Sequence, residues 1–408
     1  MTATASFDRN TPLEPDLRTP DAAPNGSARP AAVLGIVTAA LFTDTLLYNM
    51  VVAFLPQQLR QGGESSVEIG LLFAAYAGGL LLSAPPAGRL ADRLGGRTML
   101  AAGAICLALA SLVGAFAANA SVMVVGRFLQ GSAGAALWAA GLAWLAEVYP
   151  TSTRGKALGT AMAGLSVGAL VGPILGGTLF EWGGQDLPLL TGAGLAGLLA
   201  VLTLLMPRRR SRVALRNLSF RSVLAQPGVA VTLGVVLLGS IVLSLLDPTL
   251  PLHLETRLHA GPIAVGLAFA AATLAYGLSA PLAGSISDRS GRRKTMAAGV
   301  LATVVSLPLV ALPAHWWLEI PALVLLGIAC AFLLTPTLPQ LADAVEGSSE
   351  SGYGRAYTLF NLAYALGMFV GPTVGGALSD QFGFGASLFI LSAAAAPYLL
   401  VVVRSKCR

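Results

Sequence analysis

From residue 31 almost to its end, the chain is a succession of long apolar stretches separated by short polar connections. Each stretch is about 20 residues, the length an α-helix needs to cross a hydrocarbon layer of roughly 30 Å. We place spans at 31–55, 68–87, 98–118, 121–146, 157–180 and 187–206, then at 229–252, 262–283, 295–313, 318–342, 353–378 and 384–403. Backbone groups in lipid must find partners within their own structure, so only helices and closed barrels span a membrane. These runs are too long and continuous for barrel strands of about ten alternating residues. The expected fold class is therefore an all-α membrane protein with twelve transmembrane helices in two pseudo-symmetric six-helix bundles. Composition agrees: 11% of residues are charged and 55% hydrophobic, against about a quarter charged in ordinary soluble domains. A water-soluble enzyme is excluded.

Residues 1–30 combine prolines with mixed charges and lack the basic-then-apolar layout of a secretory signal. They are expected to be a disordered cytoplasmic tail. Residues 31–206 then form the N-terminal bundle, 207–228 a basic cytoplasmic linker, and 229–404 the C-terminal bundle.

The net charge of +6 is explained by position rather than by nucleic acid. With twelve spans both termini lie on one side. That side collects every Lys and Arg except Arg60, Arg257 and Arg127. The positive-inside rule predicts a multi-pass protein of the cytoplasmic (inner) membrane with both termini cytoplasmic. The arginine run from Arg208 to Arg221 also fits lipid-headgroup binding. Cys106, Cys330 and Cys407 show no paired spacing, so free thiols are expected and no metal site.

The chain repeats itself. GRLADRLGGR at Gly88–Arg97 and GSISDRSGRR at Gly284–Arg293 each follow the second span of their half. GALVGPILGG at Gly168–Gly177 and GMFVGPTVGG at Gly367–Gly376 each lie in the fifth span of their half. Two six-helix units related by an axis along the membrane normal, with a site between them, make a transporter architecture. The loop residues Gly88, Asp92, Arg93, Gly95 and Arg97, with the weaker copy Gly284, Asp288, Arg289 and Gly291, resemble the signature loop of the major facilitator superfamily. The resemblance covers residues 31–404 and implies a conformational latch of the outward-open state, with Gly88 allowing tight helix contact. Gly168, Gly172, Pro173, Gly176 and Gly177 look like the motif that marks the family's proton-coupled antiporters. Small residues four apart also let helices approach closely whatever the direction of transport.

An ionisable side chain at mid-bilayer costs about 3 kcal/mol or more, so each one retained is a functional candidate. Asp44 lies halfway along the first span, Asp247 past the middle of the seventh, Arg127 in the fourth, and Asp343 at the end of the tenth. Asp44 and Asp247 occupy the first span of each half and both can face the cavity between bundles. Arg127 is expected to be a counter-charge for one carboxylate. Simpler roles stand beside these: hydroxyl-satisfied packing for Asp44, a cap at a break before Pro248 for Asp247, a structural salt bridge for Arg127, an interfacial carboxylate for Asp343. His253, His259 and His315 are expected to be solvated surface residues.

At finer grain the chain resembles the vesicular amine transporters and their bacterial multidrug relatives. Asp44 followed by Pro56 carries this, as do Leu246-Asp247-Pro248 with Leu250-Pro251, and Asp343 followed by Tyr353, Gly354, Tyr357, Gly371, Pro372, Gly375 and Gly376. The resemblance implies that Asp44 contacts a cation, that Asp247 pairs with Arg127, and that Asp343 belongs to the proton pathway. It departs where those transporters carry an eleventh-span carboxylate and a second-span lysine: here stand Asn361 and Tyr76. Tyr276 matches a family tyrosine. With Tyr48, Asn49, Trp138 and Phe360 it can supply cation–π and hydrogen-bond contacts.

There is no P-loop, metal-ligand spacing or nucleophile elbow, so no cofactor is expected and energy must come from an ion gradient. The expected function is proton-coupled export of lipophilic cationic small molecules or amines by alternating access, by a monomer. Burial favours the protonated carboxylate and a bound cation the ionised one, so proton and substrate compete at Asp44 and Asp247. The alternatives are a carrier of a neutral or anionic metabolite, and a transporter-like sensor or lipid scramblase.

Overall fold

The computed structural model of the chain describes residues 30–207, 221–226, 228–344 and 351–405. Among these, twelve long helices follow one another. They are α1 (Pro30–Met50), α2 (Ser66–Leu94), α3 (Gly96–Ala115), α4 (Ala120–Val148), α5 (Thr151–Gly183), α6 (Asp186–Leu205), α7 (Val229–Leu258), α8 (Pro262–Ser290), α9 (Arg292–Leu309), α10 (Trp316–Leu334), α11 (Ser351–Phe382) and α12 (Phe384–Arg404). A 3-10 turn at Val51–Ala53 and a helix at Leu55–Gln61 prolong α1, and Thr337–Ala344 prolongs α10. Ten of these segments are long and apolar enough to cross a membrane. The other two are α4, which carries Arg127, Gln130 and many small residues, and α9, which opens on Arg292, Arg293 and Lys294. The predicted tail up to residue 29, and residues 208–220 and 227 of the predicted linker, lie outside the described residues.

Local chemistry marks the ends. Ser65 and Glu68 form a capping box at the start of α2, and the Asn119 side chain accepts from Val122 N at the start of α4. Gly95 (φ 83°) and Gly291 (φ 93°) make the reversals from α2 to α3 and from α8 to α9. Only glycine takes that conformation without strain.

α1 packs along α5, and α7 along α11, in the same register. A Cβ at Gly168 would stand 2.6 Å from Phe42 O, one at Gly172 2.8 Å from Asn49 Cβ, and one at Gly176 would overlap Met50 O. In the other half Gly367 and Gly371 face Ser240 and Ser244 in the same way. The repeated glycines are thus the contact stripe that brings two backbones together, as small residues do between helices in lipid.

The halves meet chiefly through α2 with α11 and α5 with α8, at the face opposite the arginine-rich loops, here called the far face. Cβ atoms at Gly177 and Gly376 would overlap the carbonyl oxygens of Pro262 and Ser66, and Gly266 and Gly70 stand in the same way against Pro173 O and Pro372 O. Two carboxylates bridge the same seams. Asp380 of α11 accepts from Ser66 N (3.2 Å) and Val67 N (3.1 Å) at the start of α2, and Glu181 of α5 accepts from Ile263 N (3.4 Å) at the start of α8. Toward the arginine-rich face these helices instead carry exposed apolar side chains: Leu82, Leu274, Leu278, Leu282 and Leu362. An open cleft of about 550 Å³ there is lined by Leu34, Thr38, Phe42, Thr160, Gly164 and Val167 of α1 and α5. The molecule is closed at the far face and open at the arginine-rich one.

Candidate functional site

Four helices converge on a polar cluster in the middle of the bundle. Asp44 of α1 is 1% exposed. Its Oδ2 accepts from Trp138 Nε1 of α4 at 3.1 Å, and the Tyr76 hydroxyl of α2 stands 3.4 and 3.3 Å from its two oxygens. One turn along α1, Tyr48 crosses to the other half and donates to Asp247 Oδ2 of α7 at 2.7 Å. The rings of Tyr48 and Tyr76 lie 4.6 Å apart. The two carboxylates therefore sit at the ends of one chain: Asp247, Tyr48, Tyr76, Asp44.

Arg127 of α4 lies beneath this chain and is 2% exposed. Its guanidinium carbon is 5.0 Å from the centre of the Tyr48 ring, 5.2 Å from Phe73 and 5.2 Å from Tyr76. Nη1 donates to Gln130 Oε1 at 2.6 Å, while Nε and Nη2 have no partner. A cavity of about 20 Å³ adjoins it, lined by Ser111, Gly126, Gln130 and Met123 among others. That is room for one water. The expected Arg127–Asp247 pair is not formed: no carboxylate of the described residues is within ion-pair distance of the guanidinium. The guanidinium instead faces the rings of Tyr48, Phe73 and Tyr76, so the cation is held by three π faces. α7 is continuous from Val229 to Leu258, so there is no break before Pro248 for Asp247 to cap.

Both carboxylates turn toward each other across the two halves and not toward lipid, but they are covered. Asp247 is 8% exposed, and the tyrosines and half-buried Trp138 roof the cluster. Tyr276 is half-buried among second-half residues that include Tyr364. Phe360 stacks on Tyr364 at 6.1 Å, and Asn361 is exposed. Asn49 spends its amide on Thr45 O (2.8 Å) and is part of the α1–α5 contact.

Asp343 lies elsewhere. It accepts from Arg292 Nε, whose Nη1 donates to Asp288 at 3.1 Å. It thus belongs with the second signature loop at the arginine-rich face. In the two loops, Arg97 donates to Thr203 O (3.2 Å) and Leu204 O, the last carbonyls of α6, while Arg293 donates to Ser405 O (3.0 Å) after α12. Each loop thereby ties the start of a third helix to the end of a sixth. Gly88 is not in tight contact, since a Cβ there would meet nothing within 4 Å, and Gly284 meets only Thr335 Cγ2 at 3.8 Å. The loops lie at the arginine-rich face, the side of the open cleft. Arg93 and Arg289 are exposed; the Asp92 side chain, like those of Tyr353 and Tyr357, lies outside the described residues.

Three participants escape sequence reasoning. Phe73 and Gln130 flank Arg127, and Gly134 makes room for the cluster: a Cβ there would stand 2.9 Å from Asp44 Oδ1 and 3.1 Å from the Tyr76 hydroxyl. The signal for Gly134 is faint, one glycine in a helix already rich in small residues. His253, expected on the surface, is largely buried against Glu319.

Known proteins share this plan. The chain is 31% identical over 343 residues to the rat chromaffin granule amine transporter, covering 83% of this chain and 64% of that one. It is 29% identical over 368 residues to a probable vesicular acetylcholine transporter-B of Danio rerio, covering 86% of this chain and 74% of that one. It spans less than two thirds of the length of the chromaffin granule transporters of rat and human. Among solved structures, a bacterial homologue of the human lysosomal transporter Spinster, in an inward-facing and unoccupied conformation, superposes with a TM-score of 0.79. At 15% identity, over 91% of this chain and 95% of that one, it shares the fold. The nucleoside transporter NupG gives 0.72 at 14% identity, over 91% of this chain and 99% of that one. The Major Facilitator Superfamily model matches residues 37–243 and again 232–406. With twelve helices, a repeated signature loop and a repeated glycine stripe, this multi-pass membrane protein belongs to the Major Facilitator Superfamily.

Proposed function

We propose that the chain is a proton-coupled antiporter that exports lipophilic amines or other organic cations across the cytoplasmic membrane, with both termini inside. The observation that carries this reading is the charge balance of the buried cluster. Asp44 and Asp247 supply two negative charges and Arg127 one positive, with all three almost wholly covered. The ionised cluster is one negative charge out of balance, and burying unpaired charge is expensive. One proton or one monovalent organic cation restores neutrality.

The two ligands exclude each other for that reason. A proton on either carboxylate removes the charge that attracts the amine; a bound amine stabilises the ionised form and expels the proton. The halves can close around a neutral cluster and resist closing around a charged one, so each passage carries one ligand or the other. Tyr48, Tyr76 and Trp138 suit an amine: their rings receive a cation, and their O–H and N–H groups hold the carboxylates meanwhile. The opening at the arginine-rich face fits loading from the cytoplasm if that face is inside. The amine and acetylcholine transporters among the relatives support the substrate class.

An anionic substrate is disfavoured because Arg127, the one cation at the centre, is roofed by three aromatic rings. The deciding experiment uses proteoliposomes with an imposed pH gradient and a fluorescent lipophilic cation. Wild type should drive the dye against its gradient. Asp44→Asn, which leaves a neutral cluster with no proton to exchange, should abolish pH-driven movement; wild-type rates in that variant overturn the mechanism.

A further inference from the structure

Away from the central cluster, the second half buries another acid. Glu319 lies in the first turn of α10 with its side chain 0% exposed, and neither carboxylate oxygen has a hydrogen-bond partner. The nearest ionisable group is His253 of α7, whose Nε2 stands 3.4 Å from Glu319 Oε1. The imidazole is 11% exposed and stacks on Phe384 of α12, ring centres 4.2 Å apart. The pair is therefore enclosed by three helices of one half, with the histidine its only side open to water. Other titratable groups at this face include Glu255, which accepts from Gln61 (3.1 Å), Arg257, His259, His315, which stacks on Trp317, Arg60, and the seam carboxylates Asp380 and Glu181. None of them is within ion-pair distance of Glu319 or His253.

A pair so placed counts protons. With one proton it is neutral overall, whether as imidazolium and carboxylate or as imidazole and carboxylic acid. With none it is a bare buried anion, and with two a buried cation, each costly without water. We propose that His253 and Glu319 form a second proton-binding site, which holds one proton while the far face is closed and exchanges it with water there when that face opens. The proton leaves from the imidazole to water, and the carboxylate left behind is tolerated only once hydrated.

The location links the pair to opening. α7 contacts the first half at its far end, through the segment Val51–Gln61 and the Gln61–Glu255 hydrogen bond that joins the two halves. Pro248 and Pro251 lie inside α7 between Asp247 and His253. Each removes a ladder hydrogen bond, and such positions let a helix bend. The end carrying His253 can thus swing with the far face while Asp247 stays in the central cluster.

This rests on the transport reading only for its place in the cycle, and neither test needs a transported compound. The chain has three histidines, so ¹⁵N-histidine spectra of the protein in nanodiscs can follow each ring, with His253→Gln giving the assignment. The spectrum of the His253 ring should change in Glu319→Gln at fixed pH, while those of His259 and His315 should not. The second measurement places spin labels at Arg60 and Arg257, both exposed and one in each half. Raising the pH should lengthen that distance in Asp44→Asn, whose central cluster is neutral without a proton, but not when Glu319→Gln is added to it, since the outer pair is then neutral without a proton as well. If the His253 spectrum in Glu319→Gln is that of wild type, or the double variant opens with pH as Asp44→Asn does, the proposal is overturned.

Discussion

The first half supplies Asp44, Tyr48, Tyr76, Arg127 and Trp138 to the centre, while the second sends Asp247 and keeps another acid, Glu319, within its own walls against His253. Yet the halves share their helix order, their glycine stripes and the arginine tie at the end of each signature loop. What duplication retained is the set of backbone contacts; what diverged is the placement of buried charge. The scaffold constrains positions where two main chains touch, whereas a polar side chain in the middle of a helix is free to change once its partner changes with it.

Three sets of substitutions would sharpen this contrast, and the first concerns the scaffold itself. At Gly176 a Cβ would overlap Met50 O, whereas at the equivalent Gly375 it would stand 3.1 Å from Leu245 Cβ. Gly176→Ala should therefore destabilise the protein by about 3 kcal/mol or more, at the upper end of overpacking costs, and Gly375→Ala by about 1 kcal/mol. Thermal unfolding in detergent measures both, and equal losses would show that the halves do not differ here. The second concerns the bridge between halves. Tyr48→Phe keeps the ring over Arg127 but leaves Asp247 Oδ2 without its donor. Removing a hydrogen bond to a charged group costs roughly 1.5–3 kcal/mol, so pH-driven cation flux should fall about tenfold or more while expression is retained. The smallest effect is expected at the loop ties. Arg97→Gln and Arg293→Gln each lose bonds to carbonyls at a helix end, worth about 0.3–1 kcal/mol, and should lower the melting temperature by a few degrees without abolishing transport.

Much of the fold was legible in the sequence because apolar length and charge asymmetry report directly on a membrane. The glycines at matched offsets were legible for a similar reason: no other residue fits where Met50 O or Pro262 O approaches. Asp44, Asp247 and Arg127 stood out by their cost in lipid, and the structure gathers them around one cluster. Their partners did not stand out, because span position gives depth and says nothing of which rings a charge faces. The expected Arg127–Asp247 pair failed on that point. His253 was misjudged for the converse reason: it sits near a span end, where residues are commonly wet, but the first turn of α10 brings Glu319 against it. Gly88 shows a further limit, since its expected tight contact is absent from the conformation with the arginine-rich side open.

Along the far-face seams, glycines meet carbonyl oxygens at Gly70, Gly177, Gly266 and Gly376. Parting the two chains at those four points asks for no rotamer hopping and no unthreading of bulky groups. Polar adhesion there comes from the grip of Asp380 and Glu181 on a few amide protons and from the Gln61–Glu255 hydrogen bond, which water can take over one bond at a time. Such a joint behaves like a smooth bearing, quick to release and quick to reseat.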